Sequence, residues 1–164
     1  MLCLHRADVN PDSLDSQRIW QWRNDPVTRA MSVTTEEIPW ERHRAWYVQA
    51  AVDPSRVLLL VSEGETAVGM VRFDLRAVAD AEVSINLNPQ ARGSGQGKRV
   101  LAAACRWGFS TLRRDCIYAT IKPDNLRSIR TFEATGFVLI DSTALLLTYR
   151  LLPEQLVGAP EGPQ

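Results

Sequence analysis

The apolar positions change spacing along the chain, and each change marks an element. Residues 2–9 mix apolar and polar positions as a short strand does. Asn10-Pro11-Asp12 predicts a helix start, with Asn as cap, Pro at the first helical position and an acid in the first turn. That helix carries Leu14, Ile19 and Trp22 and ends before Asp25-Pro26, and a short piece follows from Val27 to Met31. Thr34 and Glu37 stand three apart, a capping-box spacing. Trp40, His43, Trp46, Tyr47 and Ala50 then recur at threes and fours, predicting a helix to about Ala51, with Pro39 as another candidate for its first turn.

From Arg56 the spacing drops toward two. Val57 to Val61 reads as a buried strand, Glu63-Gly64-Glu65 as a turn, and Ala67–Leu75 as a second strand. Ala81–Asn88 alternates cleanly, with Ala81, Val83, Ile85 and Leu87 on one face and Glu82, Ser84, Asn86 and Asn88 on the other. Residues 97–113 return to a helical stripe of Val100, Leu101, Ala104, Trp107, Gly108 and Leu112, with Arg99, Arg106 and Arg113 on the wet face. A strand at Asp115–Ile121 precedes a helix opened by Pro123-Asp124-Asn125, with Leu126, Ile129 and Phe132 as its apolar face and Gly136 as its stop. Phe137–Asp141 and Ala144–Leu151 are the last strands. The order predicts an α+β domain over residues 1–152, built on one mixed sheet with at least one parallel pair, and a disordered tail over 153–164 rich in Pro, Gly and polar groups.

The chemistry concentrates at Arg92-Gly93-Ser94-Gly95-Gln96-Gly97-Lys98, between a strand pattern and a helix pattern. Glycines there permit a tight turn and leave amide N–H groups directed outward at the positive end of a helix dipole, a cradle for phosphate or pyrophosphate. The spacing matches neither the GxGxxG dinucleotide fingerprint nor the Walker frame, and the loop alone is also compatible with a glycine-rich turn that holds nothing.

Bulk properties narrow the class. The 164 residues suit one domain with a sizeable core. Nineteen Lys plus Arg balance nineteen Asp plus Glu, which argues against a protein that coats nucleic acid or an anionic membrane. Cys3, Cys105 and Cys116 have no CxxC or metal-ligand spacing, so no metal is expected and the thiols read as core residues of a cytoplasmic protein. No stretch has the length of a membrane-spanning helix, and Met1–Asp8 lacks the apolar core of a signal peptide.

A second motif sharpens the loop. Arg92-x-x-Gly95-x-Gly97, followed across one strand by Asn125-x-x-Ser128-x-x-x-Phe132-Glu133-x-x-Gly136-Phe137, resembles the GNAT family of acetyl-coenzyme-A-dependent N-acetyltransferases, and element order agrees over the whole domain. The resemblance implies a mostly antiparallel seven-stranded sheet flanked by about four helices. It implies that coenzyme A lies along the loop, at Leu87, Arg92, Gly93, Ser94, Gly95, Gln96, Gly97 and Lys98, with Asn125 and Ser128 near the pantetheine arm. The strand before the loop should splay from the strand after Arg114 to admit that arm. The implied reaction is direct attack of an amine on the thioester, needing a base, a hold on the carbonyl oxygen and a fate for the thiolate. Glu82 is the candidate base, directly or through water, with Ser84 on the same face; alternation alone also permits both to face solvent. Many family members place a Tyr where this chain has Phe132, so Tyr149, a water or an unprotonated thiolate would have to serve.

The acceptor side rests on Trp22-Arg23-Asn24-x-Pro26, Met31 and His43-x-x-Trp46. These resemble the branch that acetylates UDP-4-amino-sugars of the pseudaminic acid pathway, and more loosely the ribosomal-protein N-terminal acetyltransferases. A nucleotide-sugar acceptor wants an aromatic face and cations for its diphosphate. Trp22, Arg23, Asn24, His43 and Trp46 are the candidates, with Arg29 either contributing or pairing with Glu36 or Glu37. Trp22 and Trp46 also fit plain core spacing. The expected partner is therefore a small-molecule amine, with no nucleic acid and no membrane; a homodimer stays open. A peptide N-acetyltransferase and a non-catalytic module that binds coenzyme A are the competing readings.

Overall fold

In a computed structural model describing residues 1–157, the chain forms five helices around one seven-stranded sheet. The strands are β1 Leu2–Arg6, β2 Arg56–Glu63, β3 Thr66–Leu75, β4 Asp80–Leu87, β5 Cys116–Ile121, β6 Val138–Ser142 and β7 Leu147–Leu151. The helices are α1 Leu14–Asn24, α2 Pro26–Met31, α3 Trp40–Val52, α4 Gln96–Ser110 and α5 Leu126–Thr135. Spatial order is β1-β2-β3-β4-β5-β7-β6. All neighbours are antiparallel except β4 and β5, the expected parallel pair.

That parallel pair sets up the site. β4 and β5 are joined only over Asp80–Glu82 and Cys116–Tyr118. Both strands continue, to Leu87 and Ile121, without pairing to each other, so the sheet is open there and the backbone groups facing the gap are left for something else.

Five consecutive buried residues in β2 show how the sheet is covered. Val57, Leu59 and Val61 join the core under α4 and α5, with Val71, Phe73, Val83 and Leu101. Leu58 and Leu60 join a second core under α1 and α3, with Ile19, Trp22, Tyr47 and Met70. A strand buried on both faces loses its alternation, which is why β2 reads as a solid apolar run.

Several predicted boundaries move. The cap of α1 is Ser13, whose Oγ accepts from Ser16 N–H at 3.2 Å; Asn10 instead closes a turn by accepting from Asp12 N–H. The Thr34/Glu37 capping box is not used, because α3 starts at Trp40 behind Pro39 and residues 32–39 are irregular. Leu126 is exposed rather than on the buried face of α5, while Phe132 is buried. Cys105 and Cys116 are buried, with burial raising the Cys105 thiol, but Cys3 is exposed. The predicted tail begins too early: Pro153–Gln155 forms a 3-10 turn, and Val157 N–H donates to Thr135 O at 3.0 Å. The rest of that tail, 158–164, lies outside the described residues. No helix among the described residues is long and apolar enough to cross a membrane.

Candidate active site

The glycine loop enters α4 through two glycines in left-handed backbone, Gly93 at φ 89° and Gly95 at φ 76°, the latter being the helix cap. A side chain at either position would be strained, though neither lacks space. No side chain caps α4, so its first N–H groups lack intrahelical partners. The start of α4 is braced from outside: Glu63 accepts from Arg99 Nη2 at 2.6 Å and Gln96 Nε2 at 2.8 Å. Hydrogen bonds from Arg99 and then Gln96 hold the Glu63 carboxyl down to about 2.

The loop borders a groove of about 520 Å³. Arg92, Gly93, Gly95, Gly97 and Lys98 line it on one side, with Leu87 and, from α5, Asn125 and Ser128. Ser94 and Gln96 do not line it; Gln96 is committed to Glu63, and exposed Ser94 donates to Ala91 O at 3.3 Å. Arg92 also departs from its expected role. Its Nη1 donates to Asp25 Oδ2 at 2.7 Å and its Nη2 to Thr28 Oγ1 at 2.6 Å, so its charge is spent on α2. Arg127 and Arg130 supply cations instead; their spacing on the first turns of α5 was the signal available in the sequence. Among the described residues the groove is lined by no carboxylate. Free helix-terminal N–H groups beside Lys98, Arg127 and Arg130 suit a multiply phosphorylated ligand.

Asn125 caps α5, its Oδ1 accepting from Ser128 N–H at 3.2 Å, and both residues line this groove and a second cavity. The second cavity, about 590 Å³, runs from the open side of β4 to α1 and α3. Thr28, Met31, Ser32, Ile85, Asn86, Asn125 and Ser128 are common to both, so the two spaces adjoin at the gap between β4 and β5.

Ser84 is exposed and lines the second cavity, but Glu82 does not. The Glu82 carboxylate is ion-paired with Arg76, back where β4 and β5 still pair. Alternation put Glu82 on the same face as Ser84 correctly, but the cavity begins only after it. Tyr149 is also elsewhere: buried, it donates to Glu133 Oε1 at 3.0 Å, and burial followed by Glu133 raises its phenol. Phe132 lines the cavity and packs edge-on against Phe137.

Of the acceptor candidates, Arg23, His43 and Trp46 line the cavity. Trp22 does not; it is a core residue, 6 % exposed. Asn24 is a brace, donating to Ile38 O and accepting from Ile38 N–H, both at 2.8 Å. Arg23 Nη2 donates to Thr34 O at 2.7 Å, while its buried Nη1 has no partner among the described residues. Arg29 Nε is likewise buried and unpartnered, and its Nη1 lies 3.7 Å from Glu37. His43 is 3 % exposed, stacked on Trp40 and hydrogen-bonded through Nε2 to Ser16 Oγ at 3.0 Å. Burial lowers its pKa, so the imidazole is neutral at neutral pH. Sequence reasoning missed Arg42, Arg72 and Lys122, which also line this cavity. They lie on three separate elements, so no local spacing relates them. With Arg23 they make four cations, and among the described residues no carboxylate lines the cavity. No group of three His, Cys, Asp or Glu among the described residues is placed to hold a metal.

Comparisons with known proteins bear on the family and the fold. A family model described as "Acetyltransferase (GNAT) domain" matches residues 9–138. The chain is 22% identical over 130 residues to the acetyltransferase PseH of Campylobacter jejuni strain 81-176, covering 79% of this chain and 81% of that protein. Among solved structures, a spermidine N-acetyltransferase from Vibrio cholerae, in complex with CoA and spermine, superposes with a TM-score of 0.81 at 17% identity, covering 94% and 96% of the two chains. Campylobacter jejuni PseH in complex with acetyl coenzyme A gives 0.74 at 17%, covering 93% and 99%. With the family matched over most of its length and the open sheet and glycine loop in place, the chain belongs to the GNAT acetyltransferases and is an acyltransferase.

Proposed function

We propose that the protein acetylates the amine of an anionic small molecule, a nucleotide-linked amino sugar of the UDP-4-amino-sugar kind, using acetyl coenzyme A held in the glycine-loop groove. The carrying observation is the charge of the acceptor cavity: Arg23, Arg42, Arg72 and Lys122, with no carboxylate among the described lining residues. A polyamine carries several positive charges and needs carboxylates to offset their desolvation. Arg72 is paired with Asp74 at 2.8 Å and Lys122 lies 3.8 Å from Asp124, so a diphosphate-linked acceptor gains most from Arg23 and Arg42, and the unpartnered Arg23 Nη1 is a donor waiting for an acceptor atom. Trp46, beside His43, offers an aromatic face. The likeness to PseH supports the same reading.

The thioester supplies an activated acetyl group when bound. The chain's residues then bring the amine to it and handle the proton. In this reading the loop N–H groups and Lys98 orient the donor, Asn125 and Ser128 border its arm, and the β4 edge near Ser84 and Ile85 faces the reacting end. Of the side chains lining the acceptor cavity, His43 alone combines neutrality with a free ring nitrogen, so we assign it, acting through water, the proton acceptance first expected of Glu82. Ser84 steadies that water or the amine. Phe132 donates no proton; a coenzyme A thiolate is a tolerable leaving group without one.

Incubating the protein with acetyl coenzyme A and a panel of UDP-4-amino-sugars, spermidine and peptide amines, with thiol release as the readout, tests this. Turnover should be fastest with a UDP-linked amine. Turnover confined to spermidine or to a peptide N-terminus would overturn it.

A further inference from the structure

α2 is an unusual wall for a binding site. It has six residues, Pro26–Met31, none of them buried. A helix that short does not hold itself together, and with no buried side chain it gains little from hydrophobic packing. Polar anchors hold it instead. Thr28 Oγ1 donates to Asn86 Oδ1 at 3.3 Å, Lys122 Nζ donates to Ala30 O at 3.2 Å, and Arg92 donates to both Asp25 and Thr28. The Arg92 anchor has the shortest bonds, is charge-assisted and lies largely out of water, with side chains 16% and 18% exposed on Arg92 and Asp25. Burial opposes ionisation of Asp25, but hydrogen bonds from Arg92 and Thr28 still hold its carboxyl below the ordinary value. Asp25 at the same time caps α2, accepting from Thr28 N–H at 3.0 Å.

Arg92 is the residue immediately before the glycine loop, and Thr28, Met31 and Ser32 line both cavities. We infer that Arg92 and Asp25 are positioning residues which transmit the order of the cofactor loop to α2, so that filling the groove shapes the wall of the acceptor cavity. The loop has two left-handed glycines and can adopt other backbone conformations when nothing is bound. A ligand seated on its N–H groups fixes the loop, the loop fixes Arg92, and the guanidinium fixes Asp25 and Thr28. Acceptor affinity then depends on donor occupancy although the two ligands need share no atom of Arg92. The inference rests on the assignment of the groove to coenzyme A.

Hydrogen exchange of the intact protein, with and without coenzyme A, tests the coupling without an acceptor. Asp25→Asn is the informative variant, because Asn retains the helix cap and removes only the charge partner; Arg92→Gln is its counterpart. In the wild type, coenzyme A should slow exchange both at residues 93–98 and in α2. In each variant protection at 93–98 should persist while protection in α2 is reduced, the remainder reporting direct contact of the ligand with Val27, Thr28 and Met31, which line the groove. In steady state, Asp25→Asn should raise acceptor KM roughly fivefold or more, leaving the coenzyme A dissociation constant within about twofold. Unchanged α2 protection in both variants would overturn the coupling and mean that coenzyme A contacts α2 directly. Absence of protection at 93–98 in the wild type would remove the groove assignment, and the coupling with it. The doubly exchanged Asp25→Arg, Arg92→Asp protein should regain part of the lost α2 protection; none regained counts against the ion pair as the link.

Discussion

Asn24 and Ile38 exchange two hydrogen bonds: the Asn24 amide donates to Ile38 O and accepts from Ile38 N–H, each at 2.8 Å. Trp20 Nε1 adds a third bond, to the same carbonyl, at 2.7 Å. The irregular segment before α3 is therefore fastened to the end of α1, and Ile38 is presented to the acceptor cavity. Asn24→Ala would leave the Ile38 N–H unpaired and should cost about 2 kcal/mol. Denaturant titration should show that loss, with acceptor KM raised and coenzyme A affinity unaltered. A variant as stable as the wild type would mean that the clamp is replaceable by water.

Glu82 and His43 make opposite predictions. Glu82 is paired with Arg76 outside the cavity, so Glu82→Gln should leave kcat within about threefold of wild type. His43→Gln should lower kcat about 100-fold or more and abolish the acidic limb of the pH–rate profile. The reverse pattern would return the proton to Glu82.

The same histidine links stability to pH. Burial holds its folded pKa below the ordinary 6.5, so below about pH 6.5 the unfolded chain takes up a proton that the folded chain refuses. Its contribution is complete above that value and is lost as pH falls toward and through the folded pKa. Thermal unfolding between pH 8 and pH 5 should show Tm falling on the acid side (an interval chosen about the ordinary histidine value), and His43→Gln should flatten that fall. Parallel curves for the two proteins would contradict it.

Gly97 tests the groove. A β-carbon there would lie 3.4 Å from Thr131 Cγ2 and 3.5 Å from Leu87 Cδ1, ordinary contact, so Gly97→Ala should fold and gain helix propensity. Gly97→Leu carries three further carbons into the space beside Lys98. Calorimetry should find coenzyme A affinity reduced about tenfold or more, a loss of about 1.4 kcal/mol. Equal affinity in Gly97→Leu would mean that the ligand lies elsewhere.

Gly136 tests the C-terminal turn. It ends α5 at φ 110°, and a β-carbon there would collide with the carbonyl oxygen of Gln155. Gly136→Ala should therefore cost about 3 kcal/mol, strain and collision together, and lower Tm by roughly 6–10 °C. Gly136→Asn tolerates the left-handed backbone better but keeps the β-carbon, so a similar loss would assign the cost to the collision.

Local pattern decided most of the fold. The unbroken alternation of β4, the apolar stripe of α4 and the stop at Gly136 follow from period and from glycine's backbone freedom, and these need only near neighbours in the chain. The glycine loop followed by Asn125 and Ser128 was legible for the same reason, since each motif is contiguous and the family resemblance needed only their spacing. Where Arg92, Glu82 and Asn24 direct their side chains was not legible. The resemblance points Arg92 and Asn24 to ligands and alternation points Glu82 to the reacting proton, yet Arg92 is taken by Asp25 from 67 positions away, Glu82 by Arg76 and Asn24 by Ile38. A charged or amide group satisfies the nearest complementary partner in space, and sequence distance does not report that. The gathering of Arg23, Arg42, Arg72 and Lys122 around a space without carboxylates is equally a tertiary fact, since α1, α3, β3 and the end of β5 meet there only when the sheet closes over its two cores. The sequence alone thus determined the sheet, the loop and the family; packing decided which charges remain available to a substrate.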